Sequence, residues 1–256
     1  MILAVKEQNG KDRIFSPSEI KDAILAAGIF SKITTNKKEV FYNEPLAFDI
    51  ETTSIKSNRL DSKIGFMYIW TLSIKGIIVQ GRTWEEFVEV MNYMADWYKT
   101  NENTLIIYVH NLAYEFQFMH KWLNFTEVFS MKERQPITAK TANGIEFRCS
   151  LKLSGYKLEK LGKNLTKYKV EKLVGDLDYS KIRNSKTKLT EKELDYCIND
   201  VKVVTSYIQE YIERVGNITL IPKTKTGEVR NYVRNQCFTM GVRKRKTIIH
   251  GRSIVV

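Results

Sequence analysis

Residues 191–215 constrain this chain more than any other segment. Thr190-Glu191-Lys192-Glu193 forms a capping box, and apolar side chains follow at Leu194, Cys197, Ile198, Val201, Val204, Ile208, Tyr211 and Val215. The result is a long helix with one apolar stripe, which must cover an apolar surface. Short segments rich in β-branched and aromatic residues can supply that surface: LAFDI from Leu46, GFMYIWTLSI from Gly65, GIIVQGR from Gly76, and LIIYV over Leu105 to Val109. Strands interleaved with helices predict an α/β or α+β domain. With 256 residues, 43% of them hydrophobic, the chain can fill a substantial core.

The remaining elements follow from local signals. Ser16-Pro17-Ser18-Glu19 combines an N-cap Ser, Pro at the first helical position and Glu three residues on, predicting a helix through DAILAAGIF that fades before Thr34. Trp84 to Tyr98 has a helical period, and Asn111 is placed to cap a helix beginning at Leu112. Residues 126–150 read as a meander with a tight turn at Asn143-Gly144, and LEKLGKNL as a short helix. After Gly216 a turn and a short basic helix are expected.

Lys and Arg number 41 against 29 Asp and Glu, a net charge of +12 that suits a polyanionic partner. Cys149, Cys197 and Cys237 are too few and too far apart for a disulfide framework or a thiolate zinc site. Any metal must therefore be held by oxygen. The short apolar start of the chain does not make a signal peptide, and no segment approaches the ~18 apolar residues of a membrane span, so a cytoplasmic location is expected.

Three widely separated acidic segments carry the chemistry. Asp49 and Glu51 alternate along a strand and so present two carboxylates on one face. Such a pair repels itself unless a cation sits between its members, and hard divalent ions take carboxylate oxygens. An acid-x-acid triplet alone is common in strands that bind nothing. Glu115 falls in the first turn after the LIIYV strand, and Asp200 lies at the border of the 191–215 stripe, four residues after Tyr196, which shares its side of the helix. A phenol there can hydrogen-bond an attacking water, although half-buried tyrosines on helix flanks are usually packing residues. His110 is expected to be a satisfied strand-end histidine, because oxygen-rich sites for hard cations seldom recruit imidazole.

The order of these pieces is acid-x-acid, then His-Asn-Leu followed by two residues and an acid, then Tyr-x-x-x-Asp. It resembles the N-terminal proofreading 3′–5′ exonuclease domain of family-B DNA polymerases, in particular the protein-primed branch used by phages and linear plasmids. The resemblance covers about residues 45–215. It implies a ribonuclease-H-like 3′–5′ exonuclease fold of the α/β class, with a mixed sheet flanked by helices. It also implies two Mg²⁺ or Mn²⁺ ions held by Asp49, Glu51, Glu115 and Asp200, and Tyr196 positioning the water. Many relatives have Asp where Glu115 stands. Single-strand contacts are implied for Thr52, Asn111, Tyr114, Phe118, Ser150 and Leu151, of which Phe118 and Leu151 also suit a core. The family's catalytic lysine precedes a Gly-Asp pair; here Val174 does, so Lys172, two residues earlier, is the expected substitute.

Asp176 and Asp178 could be taken for the Asp-x-Asp of a polymerase palm. The same Gly-Asp-x-Asp-Tyr stretch occurs in the exonuclease part of that family, and no Ser-Leu-Tyr-Pro or Tyr-x-Asp-Thr-Asp-Ser segment is present. The chain thus divides into an N-terminal extension (1–44), an exonuclease-like region (45–215) and a basic tail (216–256) that resembles the approach to a palm. The resemblance implies, as partners, a single-stranded DNA 3′ end and a polymerase half or terminal protein, with no membrane. Other functions consistent with the residues are a non-catalytic single-strand binding module and a nuclease acting on RNA.

Overall fold

The computed structural model describes residues 2–7, 10–56, 63–170, 177–178, 180–239, 246–249 and 252–255. Lys172, Val174, Gly175 and Asp176, singled out above, lie outside the described residues. In chain order the elements are β1 (Ile14–Phe15), α1 (Ile20–Ala27), β2 (Lys32–Thr34), β3 (Val40–Tyr42), β4 (Leu46–Lys56), β5 (Lys63–Ile74), β6 (Ile77–Gly81) and α2 (Trp84–Tyr98). Next come β7 (Asn103–Val109), α3 (Leu112–Met119), β8 (Phe125–Ser130), β9 (Pro136–Thr141), β10 (Ile145–Cys149), α4 (Ser150–Ser154) and α5 (Leu158–Lys163). The chain closes with α6 (Glu191–Val215), α7 (Lys225–Thr239), β11 (Lys246–Ile249) and β12 (Arg252–Val255).

The central sheet has the order β1-β6-β5-β4-β7-β10-β9-β8. Strands β4, β5 and β6 form an antiparallel meander, whereas β4, β7 and β10 run parallel. This is a mixed sheet flanked by helices, as expected. The N-terminal residues are built into it: β1 pairs parallel with β6, β3 pairs parallel with β7, and α1 buries Ile20, Ala23 and Ile24 in the main core.

Alternation along β4 divides the two faces. Phe48 and Ile50 point into the core covered by α1, α2 and α3, together with Trp70, Leu72 and Phe87. Ala47 points to the opposite face, where Val201, Val204 and Ile208 of α6 pack on it. Fully burying such aliphatic side chains stabilises by about 1.5–3 kcal/mol each, so α6 is firmly seated. Thr205 adds a polar pin: its hydroxyl donates to its own helix at Val201 O and lies 2.8 Å from the Ser73 hydroxyl of β5.

Several local expectations are corrected. A single 3-10 turn, Pro17–Glu19, precedes α1, and the helix stops at Ala27 rather than running to Phe30, because Gly28 adopts φ 76°. Asn111 occupies the N-cap of α3, but its side chain caps nothing; its carbonyl accepts Tyr114 N–H at 2.8 Å. β10 ends at Cys149 and the chain turns at once into α4. The Asn143-Gly144 turn forms as expected, with Gly144 at φ 91° against the Thr100 carbonyl, where a Cβ would clash.

Candidate metal centre and nucleic-acid cleft

The parallel strands β4, β7 and β10 deliver their C-terminal ends to one cleft, the usual place for a site in a sheet of this kind. Asp49 and Glu51 follow Ala47 on the α6 face of β4, and Asp200 reaches them from α6. The three offer carboxylate oxygens all within 4.8 Å of one another. Glu115, in the first turn of α3, is 4% exposed and stands outside that triplet, yet near enough for its charge to act on Glu51 and for Asp49 to act on it.

Their proton affinities record the crowding. Burial, and then Glu51 and Asp200, push Asp49 well above the carboxylate range. Burial, followed by Asp200 and Glu115, pushes Glu51 up to about 8, with Arg183 opposing. Burial raises Asp200 to about 7 against a hydrogen bond from the Tyr196 phenol, and Glu115 is raised by burial and Asp49. Burial and like charge both favour the protonated acids. Glu115 Oε2 is moreover buried without a hydrogen-bond partner. An all-oxygen donor set with an orphaned carboxylate oxygen fits hard divalent cations, which would replace the protons.

A β-bulge lies at the site. The β4–β5 register slips between Glu51 and Thr52, pairing Glu51 with Ile69 and Thr52 with Met67, so Tyr68 is the extra residue. Bulges bend the strand and re-aim its side chains. Beyond the slip Thr52 shares a short hydrogen bond with the Tyr114 hydroxyl, which ties the end of β4 to α3.

The expected single-strand contacts lie around this point in different states. Tyr114 is exposed, with its ring 5.3 Å from that of Phe118, and Phe118 is half-buried over Gly65. Asn111 is exposed at the start of α3. Leu151 is half-buried, packs on the main core and donates its N–H to His110 O at 2.9 Å. Ser150 is fully buried, its hydroxyl 3.0 Å from His110 Nδ1. His110 itself is half-buried and its pKa is lowered by burial to about 4, a neutral imidazole; it is only partly satisfied, contrary to expectation, because its Nε2 is buried without a hydrogen-bond partner among the described residues.

Two arginines escaped the sequence reading. Arg183 pairs with Glu193 at 2.5 Å, donates to the carbonyls of Asp178 and Lys181, and lies over the Tyr68 ring. Its backbone N–H reaches Thr53 Oγ1, two residues past Glu51, at 3.4 Å. Arg82 donates to Tyr68 O at 2.7 Å and to the carbonyls of Asn184 and Thr187. Together they fasten the 180–187 segment to the bulge and to the first turn of α6. Neither Arg sits in a pattern that marks it in the sequence, since their partners come from distant segments.

No protein-family model and no curated protein matches the sequence. Solved structures do. Phi29 DNA polymerase in a ternary complex with primer-template DNA and incoming nucleotides aligns over 82% of this chain and 37% of its own, with 16% identity and a TM-score of 0.61. The same polymerase with single-stranded DNA aligns over 81% and 37%, with 17% identity and a TM-score of 0.62. The fold is that of part of Phi29 DNA polymerase. This chain spans little more than a third of that polymerase's length. Among the described residues no helix is long and apolar enough to cross a membrane.

Proposed function

We propose that this chain is a metal-dependent 3′–5′ exonuclease acting on single-stranded DNA ends, the exonuclease portion of a protein-primed family-B DNA polymerase. The observation that carries the reading is the convergence of four carboxylates, from β4, α3 and α6, in one cleft of the polymerase-like fold. In it Asp49, Glu51 and Asp200, with Glu115, would hold two Mg²⁺ or Mn²⁺ ions. Such ions supply charge neutralisation and a clamp on the attacking and leaving oxygens of an in-line displacement, typically at ~3.5–4 Å separation.

The remaining residues orient and bind. Tyr196, bonded to Asp200, aims its phenol at the water that attacks the terminal phosphodiester. Tyr114 and Phe118 offer ring faces that stack on bases without reading sequence, while Thr52 and Asn111 hold sugar and phosphate. Ser150 acts from behind by fixing His110, and Leu151 closes the apolar floor. Lys172 supplies the phosphate-neutralising charge in this reading. The chain works where phage or plasmid DNA is replicated, in the cytoplasm, with a polymerase half or terminal protein as partner.

The test is turnover of equal-length DNA and RNA single strands in Mg²⁺ or Mn²⁺. Mononucleotide release from DNA, lost in Asp49→Ala/Glu51→Ala, is the expected outcome. Release preferentially from RNA makes the chain a ribonuclease, and binding without turnover in any divalent metal leaves a non-catalytic module.

A further inference from the structure

The tail beyond α6 has no place in the chemistry above. Residues 222–246 carry eight basic residues against one acid, Glu228, which is already paired with Arg214 and Lys225. In α7 every residue from Val229 to Cys237 is exposed. A helical stretch that exposes nine successive residues is marginal in water unless something covers it. Arg230 and Arg234 lie one turn apart on one side, and among the described residues neither has an ion-pair partner. Tyr232, two residues from each, is 64% exposed on the opposite side of the helix.

The tail also touches a helix next to the cleft. α7 packs against α4, the helix that begins with Ser150 and Leu151. A cavity of about 430 Å³ between α5 and α6 reaches Tyr156 on one side and Lys225 of α7 on the other. At the cleft end the exposed Tyr156 ring lies under Lys160 Nζ, 4.5 Å away. On the side of the β8 edge strand Phe129 is 51% exposed under Lys223 Nζ, at 5.8 Å. Exposed aromatic rings interleaved with cations are how sequence-independent single-strand binders are built: the rings stack on bases and the cations follow the phosphates.

We propose that the aromatic and basic side chains running from Tyr156, past Phe129 and Lys223, onto α7 form a track for the single strand that trails behind the 3′ end in the cleft. The proposal rests on the exonuclease reading and extends it from the terminal nucleotides to the strand behind them. α7 is about 22 Å long at ~1.5 Å per residue, room for about six nucleotides at ~3.4 Å per phosphate. A strand of about four nucleotides is shorter than α7 alone, whereas one of about fifteen is long enough to occupy the cleft and the helix together.

Fluorescence anisotropy in EDTA, on the full chain, measures oligothymidylates of both lengths (about 4 and about 15 nucleotides, bracketing the site sizes of such binders) against Arg230→Glu/Arg234→Glu and Phe129→Ala. The altered residues are exposed, and circular dichroism checks that folding is kept. The expected result is a Kd for the long strand about tenfold higher in each variant, with the log–log salt slope of the arginine variant shallower by about 1.4 for the two lost phosphate contacts. The short strand is unaffected, and Arg230→Lys/Arg234→Lys restores long-strand binding. Equal losses at both lengths, no loss at either, or a loss of self-association instead would overturn the track. Wild-type protein that cleaves DNA without any length dependence removes the track and leaves the nuclease. Long-strand binding through α7 without cleavage keeps the track and removes the nuclease.

Discussion

Removing divalent metal should make this protein less stable as pH rises, the reverse of the usual behaviour of carboxylates. Glu51 is 8% exposed and holds its proton to about 8, whereas an unfolded Glu releases it near 4.5. Between those values the folded state binds more protons than the unfolded one, so stability falls with increasing pH. At pH 7 the loss from Glu51 alone is about 3 kcal/mol, from ~1.4 kcal/mol per unit over about 2.5 units. Asp200, raised to about 7, acts in the same direction. In a chain of this size that corresponds to a Tm lower by about 6–12 °C at pH 7 than at pH 4.5. Thermal unfolding in EDTA across this range measures the slope, and repeating it in Mg²⁺ should flatten it, because the cations replace the protons. Glu51→Gln should remove Glu51's share of the slope while weakening the gain from Mg²⁺. A metal-free protein whose stability is flat or rising with pH would refute the reasoning, since the carboxylates would then not be crowded.

Arg183→Ala should cost about 1.5–3 kcal/mol in urea unfolding, because Glu193 loses its charged partner but keeps its hydrogen bonds from Thr190, whereas Lys11→Ala, whose partner Glu191 is exposed, should leave the midpoint unchanged. Tyr196→Phe removes the hydroxyl bonded to Asp200 and keeps the ring; kcat should fall about 100-fold with KM and the unfolding midpoint little changed. Phe118→Ala should weaken single-strand binding by about 1–3 kcal/mol, read by anisotropy in EDTA where chemistry does not interfere.

Local chemistry explains which parts of the structure could be read from the sequence. α2 and α6 begin at capping boxes in which Thr83 and Thr190 bond to residues three positions on, a signal contained within one turn. Asp49 and Glu51 share a face because strand alternation requires it, and Asp200 follows from helix periodicity. The missed features depend on distant pairing. β4 runs on through the polar Thr52–Lys56 because β5 zips against it as far as Lys63, and the inclusion of β1 and β3 depends on parallel pairing with β6 and β7. The Tyr68 bulge and the Arg82 and Arg183 clamps exist only once strand, loop and helix have met. The burial of Ser150 under His110 likewise requires β7 and β10 to lie side by side.

The central claim concerns direction and metal together. A single-stranded DNA labelled at either end and incubated with Mg²⁺ or Mn²⁺ tests both at once. Immediate release of labelled mononucleotide from the 3′-labelled strand and a ladder of shortened products from the 5′-labelled one are expected, both abolished by EDTA and by Asp49→Ala/Glu51→Ala. Undiminished degradation by the double variant, or release beginning at the 5′ end, would contradict it.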